Sequence, residues 1–207
     1  YDKVEPQILP FTGKSDLPHF AQQKNVARNV LSNRGQTEVI TYSFLCESAA
    51  NGFGGGSAAL KIANPISSEL SDMRPSILPN LLEASLNNAN RGTKNIALFE
   101  IGPIFTEEGE QQTISSLRVG KNADKNIYGE SRKIDVFDAK SDILAVLESL
   151  GAPEAQIRTD NLPKYYHPGR SAGLYLGKNC LGYFGEIHPA TLKTCDISDV
   201  AVGFEIF

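Results

Sequence analysis

Tryptophan is absent from the 207 residues, methionine occurs once and cysteine three times. Cys46, Cys180 and Cys195 are odd in number and show no C-x-x-C spacing. That pattern fits a reducing compartment better than a disulfide framework, so a cytoplasmic location is expected. Long apolar runs are missing as well. The longest stretch free of charge and strong polarity runs from about Val39 to Cys46, far below the roughly 18 to 20 apolar residues that a membrane-spanning helix needs. Nor is there an excess of positive charge: 20 Lys and Arg stand against 24 Asp and Glu, for a net charge of −4. Such a chain has no overall field to hold a phosphate backbone by counterion release, so nucleic acid is expected as a local or shared partner only. With 18 Gly and 11 Pro, scattered, the chain is neither collagen-like nor of low complexity. No signal peptide opens the sequence and Tyr1 stands where an initiator Met would, which leads us to expect a piece of a longer chain.

What is present reads as a folded domain, with 41% hydrophobic and 21% charged residues. Leu17, Phe20, Val26, Ala27, Val30 and Leu31 recur at helical spacing before Gly35, which predicts a helix over about 17–34. Thr37 to Cys46 is rich in β-branched and aromatic residues and predicts a strand, and Ala58 to Ala63 predicts a shorter one. From Pro75 an apolar stripe of Ile77, Leu78, Leu81, Leu82, Leu86 and Ala89 predicts a helix closing at Arg91-Gly92. Asn95 to Phe105 and Thr113 to Lys121 predict a hairpin around Glu107-Glu108-Gly109. A helix is predicted from Asp138, with Ile143, Leu144, Leu147 and Leu150 on one face and Gly151 and Pro153 as stops. Strands are predicted near 154–158, 170–177, 179–187 and 200–206. No repeat or linker divides the chain. Helices interspersed among sequential strands give the α+β class, helices packed against a mainly antiparallel sheet.

Few constellations carry chemistry. Gly52-Phe53-Gly54-Gly55-Gly56-Ser57 has the composition of a phosphate loop, but Ser57 to Ile62 reads as strand where a helix should start, so a connecting loop is expected. Glu186 and His188 share one side of a predicted strand without a third metal ligand, and His167 sits in the turn His167-Pro168-Gly169-Arg170-Ser171. Asp135 and Asp138 suit a hard cation, or more simply Asp138 caps the helix it precedes. There is no G-x-S-x-G elbow and no cysteine with an activating signature. The residues alone therefore predict a soluble α+β domain with no catalytic set and no metal.

The segment from Asn64-Pro65-Ile66-Ser67-Ser68-Glu69-Leu70-Ser71-Asp72-Met73-Arg74-Pro75 through Leu82, continuing to Asn87-Asn88-Ala89-Asn90-Arg91-Gly92, resembles the beta subunit of bacterial phenylalanyl-tRNA synthetases. Leu98 to Phe105, Asp135 to Lys140, His167 to Ala172 and Gly182 to Pro189 follow in the order of that family. The resemblance implies a class II aminoacyl-tRNA synthetase-like core at 17–207, after a junction from a preceding domain at 1–16. In that family this core is a degenerate copy of the catalytic domain of the alpha subunit. Class II catalytic strands carry an arginine two residues before a glutamate, to fork onto the ATP α-phosphate. With Glu100 as that glutamate, the arginine position holds Leu98, and the Gly-x-Gly-x-Gly-x-x-Arg pattern is absent from the whole sequence.

The resemblance thus implies a non-catalytic scaffold for assembly with the alpha subunit in an alpha2 beta2 heterotetramer that charges tRNA with phenylalanine. ATP and Mg²⁺ are expected for the holoenzyme and no cofactor for this fragment. Little direct contact with tRNA is expected, and editing in this family belongs to a more N-terminal domain. The helix from Pro75 to Arg91 is the expected subunit interface, through Arg74, Ile77, Leu78, Leu81, Leu82 and Leu86. The bland reading, that the stripe is internal core, stands beside it. The rival function is an autonomous carboxylate-adenylating enzyme of the biotin ligase type, with Arg118, Arg132 or Arg170 gripping the α-phosphate.

Overall fold

Alternation of residue type decides which faces of the sheet meet the helices. In the strand Ile96–Thr106, Leu98 points to one face and Phe99 to the other, and in Ala201–Ile206 Ala201 and Val202 divide in the same way. Both faces are apolar, so both must be covered. The computed structural model describes residues 2–8, 10, 13, 18–124, 127 and 129–207. In chain order the elements are α1 (His19–Asn33), β1 (Thr37–Glu38), β2 (Phe44–Leu45), α2 (Glu47–Gly52), β3 (Asp72–Met73), α3 (Leu78–Ala89), β4 (Ile96–Thr106), β5 (Gly109–Val119), α4 (Val136–Ser149), β6 (Gln156–Arg158), β7 (Tyr166–Leu176), β8 (Asn179–Ile187), α5 (Pro189–Thr194) and β9 (Ala201–Ile206).

Seven strands form one sheet in the order β1-β4-β5-β9-β8-β7-β6, and β2 pairs with β3 in a separate two-stranded ribbon. β1 runs parallel to β4, whereas every other pair of the large sheet is antiparallel. The α+β class and the predominance of antiparallel pairing are as the sequence predicts. On one face α3 places Leu78, Leu81 and Leu82 against Leu98, Leu117 and Ala201. On the other, Ala27 and Leu31 of α1 and Ile143, Val146 and Leu147 of α4 pack over Phe99, Val202 and Phe204. Close seating of α3 depends on Gly203, because a Cβ there would stand 2.6 Å from Ser116 O and 3.2 Å from Leu78 Cδ2.

Several predicted elements differ. The strand expected over Thr37–Cys46 is divided into β1 and β2: after Glu38 the chain leaves the edge of the large sheet, and Phe44 pairs with Met73 instead. The strand expected at Ala58–Ala63 is a 3₁₀ turn at Ala58–Leu60, where Ser57 Oγ accepts the Ala59 N–H and the two alanines contribute little strand preference. Gly52 closes α2 and residues 53–57 join it to that turn, as expected of a connecting loop. Asp138 is not the N-cap of α4. Asp135 is, and the two form a capping box in which Asp135 Oδ1 accepts the Phe137 N–H and Asp138 Oδ2 accepts the Asp135 N–H. Leu17, at the predicted start of the first helix, lies outside the described residues.

A buried polar cluster ties the end of α1, α4 and β5 together. Asp142 is 1% exposed and accepts from Arg34 Nε at 2.6 Å, Gln36 Nε2 at 2.8 Å and Arg118 Nε at 2.6 Å. Three donors from two neighbouring elements compensate the desolvation of one carboxylate.

Candidate functional site

Where a concave catalytic face would be sought, on the α3 side of the sheet, the side chains form a filled row. Register aligns Glu100 of β4, Ser115 of β5, Glu205 of β9 and Tyr183 of β8 directly across the sheet. At one end of the row, Arg74 is 1% exposed and reaches in from just beyond β3. Its Nη1 donates to Glu100 Oε1 at 2.9 Å and to Thr41 Oγ1 at 3.0 Å, its Nε donates to Pro103 O at 2.8 Å, and Thr41 Oγ1 donates to Glu100 Oε2 at 2.6 Å. Gly102 makes room for it, since a Cβ there would stand 2.7 Å from Arg74 Nη2. The backbone joins in, with Arg74 N donating to Ser43 O and Phe105 N donating to Arg74 O. Arg74 therefore clips the β2–β3 ribbon to β4. Such a pair adds little net stability, but removing one partner would strand a buried charge at a cost of about 3–5 kcal/mol.

Further along the row, Glu205 is fully buried. Its Oε1 accepts from Ser76 Oγ at 2.6 Å and its Oε2 from Tyr165 OH at 2.8 Å. Burial pushes the Glu205 carboxyl up to about 7, with the two hydrogen bonds holding it back only in part. Burial, followed by the charge of Glu205, lifts the hydroxyls of Tyr165 and Tyr166 well above their ordinary range. Ser76 Oγ also accepts the Leu78 N–H at 3.0 Å, so one hydroxyl links the start of α3 to the middle of the sheet. Among the described residues Ser115 Oγ, Thr113 Oγ1 and Tyr166 OH on this face have no hydrogen-bond partner.

The residues singled out from the sequence fall into two groups. Ile77, Leu78, Leu81 and Leu82 are 0% exposed, packed inside the chain's own core. Of the expected interface set, Leu86 alone is half-buried, and Arg74 serves the internal clip just described. Leu98 is packed in the core with α3, and the partner of Glu100 is Arg74 rather than a residue of its own strand. Arg118 is held by Asp142, Arg132 by Asp138 at 2.6 Å and Arg170 by Glu186 at 3.1 Å. Burial alone would raise the Asp138 carboxyl, but the hydrogen bonds from Arg132 and from the Asp135 N–H outweigh it and hold it below the usual carboxylate range. His188 Nδ1 accepts the Ala190 N–H and His167 Nδ1 accepts the Gly169 N–H, so both imidazoles serve turns. No cluster of three or more His, Cys, Asp or Glu positioned for a metal occurs among the described residues.

Sequence reasoning missed an open apolar ridge beside α3. Ile40 is 92% and Tyr42 73% exposed, on the extended stretch between β1 and β2 where a continuous strand was expected. Their alternation in Val39-Ile40-Thr41-Tyr42 was the available signal, with Thr41 turned inward to Glu100 and its neighbours outward. Asn80 of α3 donates from Nδ2 to Tyr42 O at 3.1 Å and fixes this ridge against the helix.

The family described as the phenylalanyl tRNA synthetase beta chain CLM domain matches residues 6–207. The chain belongs to this family. Curated relatives of the phenylalanyl-tRNA synthetase beta chain family include the phenylalanine-tRNA ligase beta subunit of Cereibacter sphaeroides, 46% identical over 207 residues that make up 99% of this chain and 26% of that protein. The corresponding subunit of Brucella abortus is 42% identical over 218 residues, covering 100% of this chain and 27% of the relative. The chain thus spans about a quarter of the length of the relatives it matches. Among solved structures, a pyrrolysyl tRNA synthetase of Desulfitobacterium hafniense has a similar fold, with a TM-score of 0.68, 17% identity, and 91% of this chain and 66% of the other covered. This beta-chain domain therefore has a class II synthetase fold on a sequence of the beta-subunit family.

Proposed function

We propose that this chain, with its core at 17–207, is a non-catalytic scaffold domain of a phenylalanyl-tRNA synthetase beta subunit. It supports the catalytic alpha subunit in an alpha2 beta2 assembly that charges tRNA with phenylalanine in the cytoplasm, using ATP and Mg²⁺ bound elsewhere. The observation that carries this reading is the filled face of the sheet. Arg74, Glu100, Thr41, Ser76, Glu205 and Tyr165 satisfy one another where an adenylating enzyme needs groups free to meet a nucleotide. Arg118, Arg132 and Arg170, one of which the adenylating alternative requires, are each engaged by a carboxylate. Binding of tRNA in the holoenzyme is assigned to other parts, in keeping with the net charge of −4.

The docking face follows from exposure. Because Ile77, Leu78, Leu81 and Leu82 are internal, the alpha subunit is assigned to the ridge of Ile40 and Tyr42, whose apolar surface has no cover among the described residues. The test is Ile40→Asp with Tyr42→Asp in the full-length beta subunit, co-expressed with alpha and analysed by sedimentation velocity. The expected result is loss of the complex with an unchanged melting temperature of beta. A complex of undiminished affinity overturns the assignment, and pyrophosphate exchange by beta without alpha overturns the scaffold reading itself.

A further inference from the structure

Beside the Ile40–Tyr42 ridge, two clefts open along the outer side of α3. One, of about 600 Å³, is bounded by Ile40, Tyr42, Phe44, Leu70, Glu83 and Ala84 among others. The other, of about 450 Å³, continues past Leu45, Ala49, Pro79 and Leu86 to Cys195 at the end of α5. Phe44, Leu70 and Glu83 belong to both, so the two form one groove. Its floor is apolar: Phe44, Leu45, Leu70, Pro79 and Leu86 contribute rings and aliphatic chains.

The charges of the groove are all of one sign. Glu69, Glu83 and Asp196 line it, no Lys, Arg or His does, and none of the three carboxylates has an ionic or hydrogen-bonded side-chain partner among the described residues. An apolar floor edged by uncompensated negative charge complements a segment that presents apolar side chains beside cations.

We propose that the groove seats a segment of the catalytic alpha subunit in which large apolar residues are flanked by Lys or Arg, next to the contact on the Ile40–Tyr42 ridge. The proposal rests on the scaffold reading and adds the chemistry of the partner. Apolar burial on Phe44, Leu70 and Leu86 holds the segment, and the three carboxylates select its register and orientation. Wrong partners bearing acidic residues at the rim are repelled. Because the rim is wet, its contribution weakens as salt shortens the screening length, to about 3 Å at 1 M.

The test uses full-length beta carrying Glu69→Lys and Glu83→Lys, titrated with alpha at low and at high salt. Both positions are exposed, so the melting temperature of beta alone is expected to stay unchanged. Affinity for alpha should fall about tenfold or more at low salt, with the difference from wild type shrinking as salt rises, and the double Glu→Gln variant should lie between. If Ile40→Asp breaks the complex while the charge reversals leave affinity unaltered at every salt concentration, the groove proposal is overturned and the scaffold reading survives. If the reversals tighten the complex, the groove instead takes an acidic segment and the proposal is again overturned. If neither set of substitutions weakens assembly, docking of alpha on this flank is overturned together with the groove.

Discussion

Glu205 combines complete burial with two hydroxyl donors and, among the described residues, no cation, and this sets a pH dependence for the whole domain. In the unfolded chain its carboxyl titrates near the ordinary value of 4.5, whereas in the fold burial raises it to about 7. Between these values the native state keeps a proton that the unfolded state has lost, so stability falls as pH rises through the window and the full cost is present above it. A shift of this size corresponds to a cost on the order of 3 kcal/mol. Glu205→Gln keeps an acceptor for Tyr165 and removes the titration. Urea unfolding at pH 5 and pH 8 is therefore expected to show a smaller difference for the variant than for wild type, and a variant with the same pH slope would assign that slope to other groups. From the sequence, Arg74 was visible as a charged residue beside the α3 stripe and Glu100 as a conspicuous acid within a strand. Their union was not, because the partners lie 26 positions apart and only the β2–β3 ribbon brings the guanidinium to β4.

Elements with a long period were legible and short ones were not. α1, α3 and α4 carry enough turns for an apolar stripe to repeat, and β4 and β5 are eleven-residue strands joined at Gly109, a position with φ +124. β1, β2 and β3 have two residues each and α2 and α5 six, too few for any periodicity to emerge. The capping of α4 is a near miss with a physical cause: Asp135 and Asp138 are both acidic at a helix start, and only geometry tells the cap from the third helical residue. Asp135→Ala removes the acceptor for the Phe137 N–H and is expected to destabilise the domain by about 1 kcal/mol, read as a lower urea midpoint, whereas Asp135→Asn should be close to neutral. An equal loss in both variants would point to the charge near Arg132, 3.6 Å away, rather than to the cap. The α3 stripe shows the limit of pattern from the other side. An amphipathic face says that something apolar covers it and leaves open whether the cover is the chain's own sheet or another subunit.

At the scale of the molecule, the fold class and the antiparallel core could be read from the order of elements, but the parallel edge β1–β4 and the central place of β9 could not, since neither is local. β9 is the last strand in sequence and lies between β5 and β8, hydrogen-bonded to both. Removing residues 201–207 is thus expected to abolish cooperative unfolding rather than to trim an edge, because β1-β4-β5 and β8-β7-β6 have no other strand between them. Calorimetry of the truncated chain would check this, and a single sharp transition near the wild-type temperature would refute it.

The same position of β9 imposes a schedule on synthesis. From the end of β5 at Val119 to the start of β9 at Ala201, roughly eighty residues must leave the ribosome, a delay of about 4 to 16 s at ordinary elongation rates. Throughout that interval β5 presents an open edge beside its hairpin partner, and once β8 has emerged it presents another. The nascent chain is therefore most vulnerable to pairing with a neighbour on the same polysome just before β9 emerges. Codons or chaperones that govern the passage from 119 to 201 should affect the yield of this domain more than any equal stretch elsewhere.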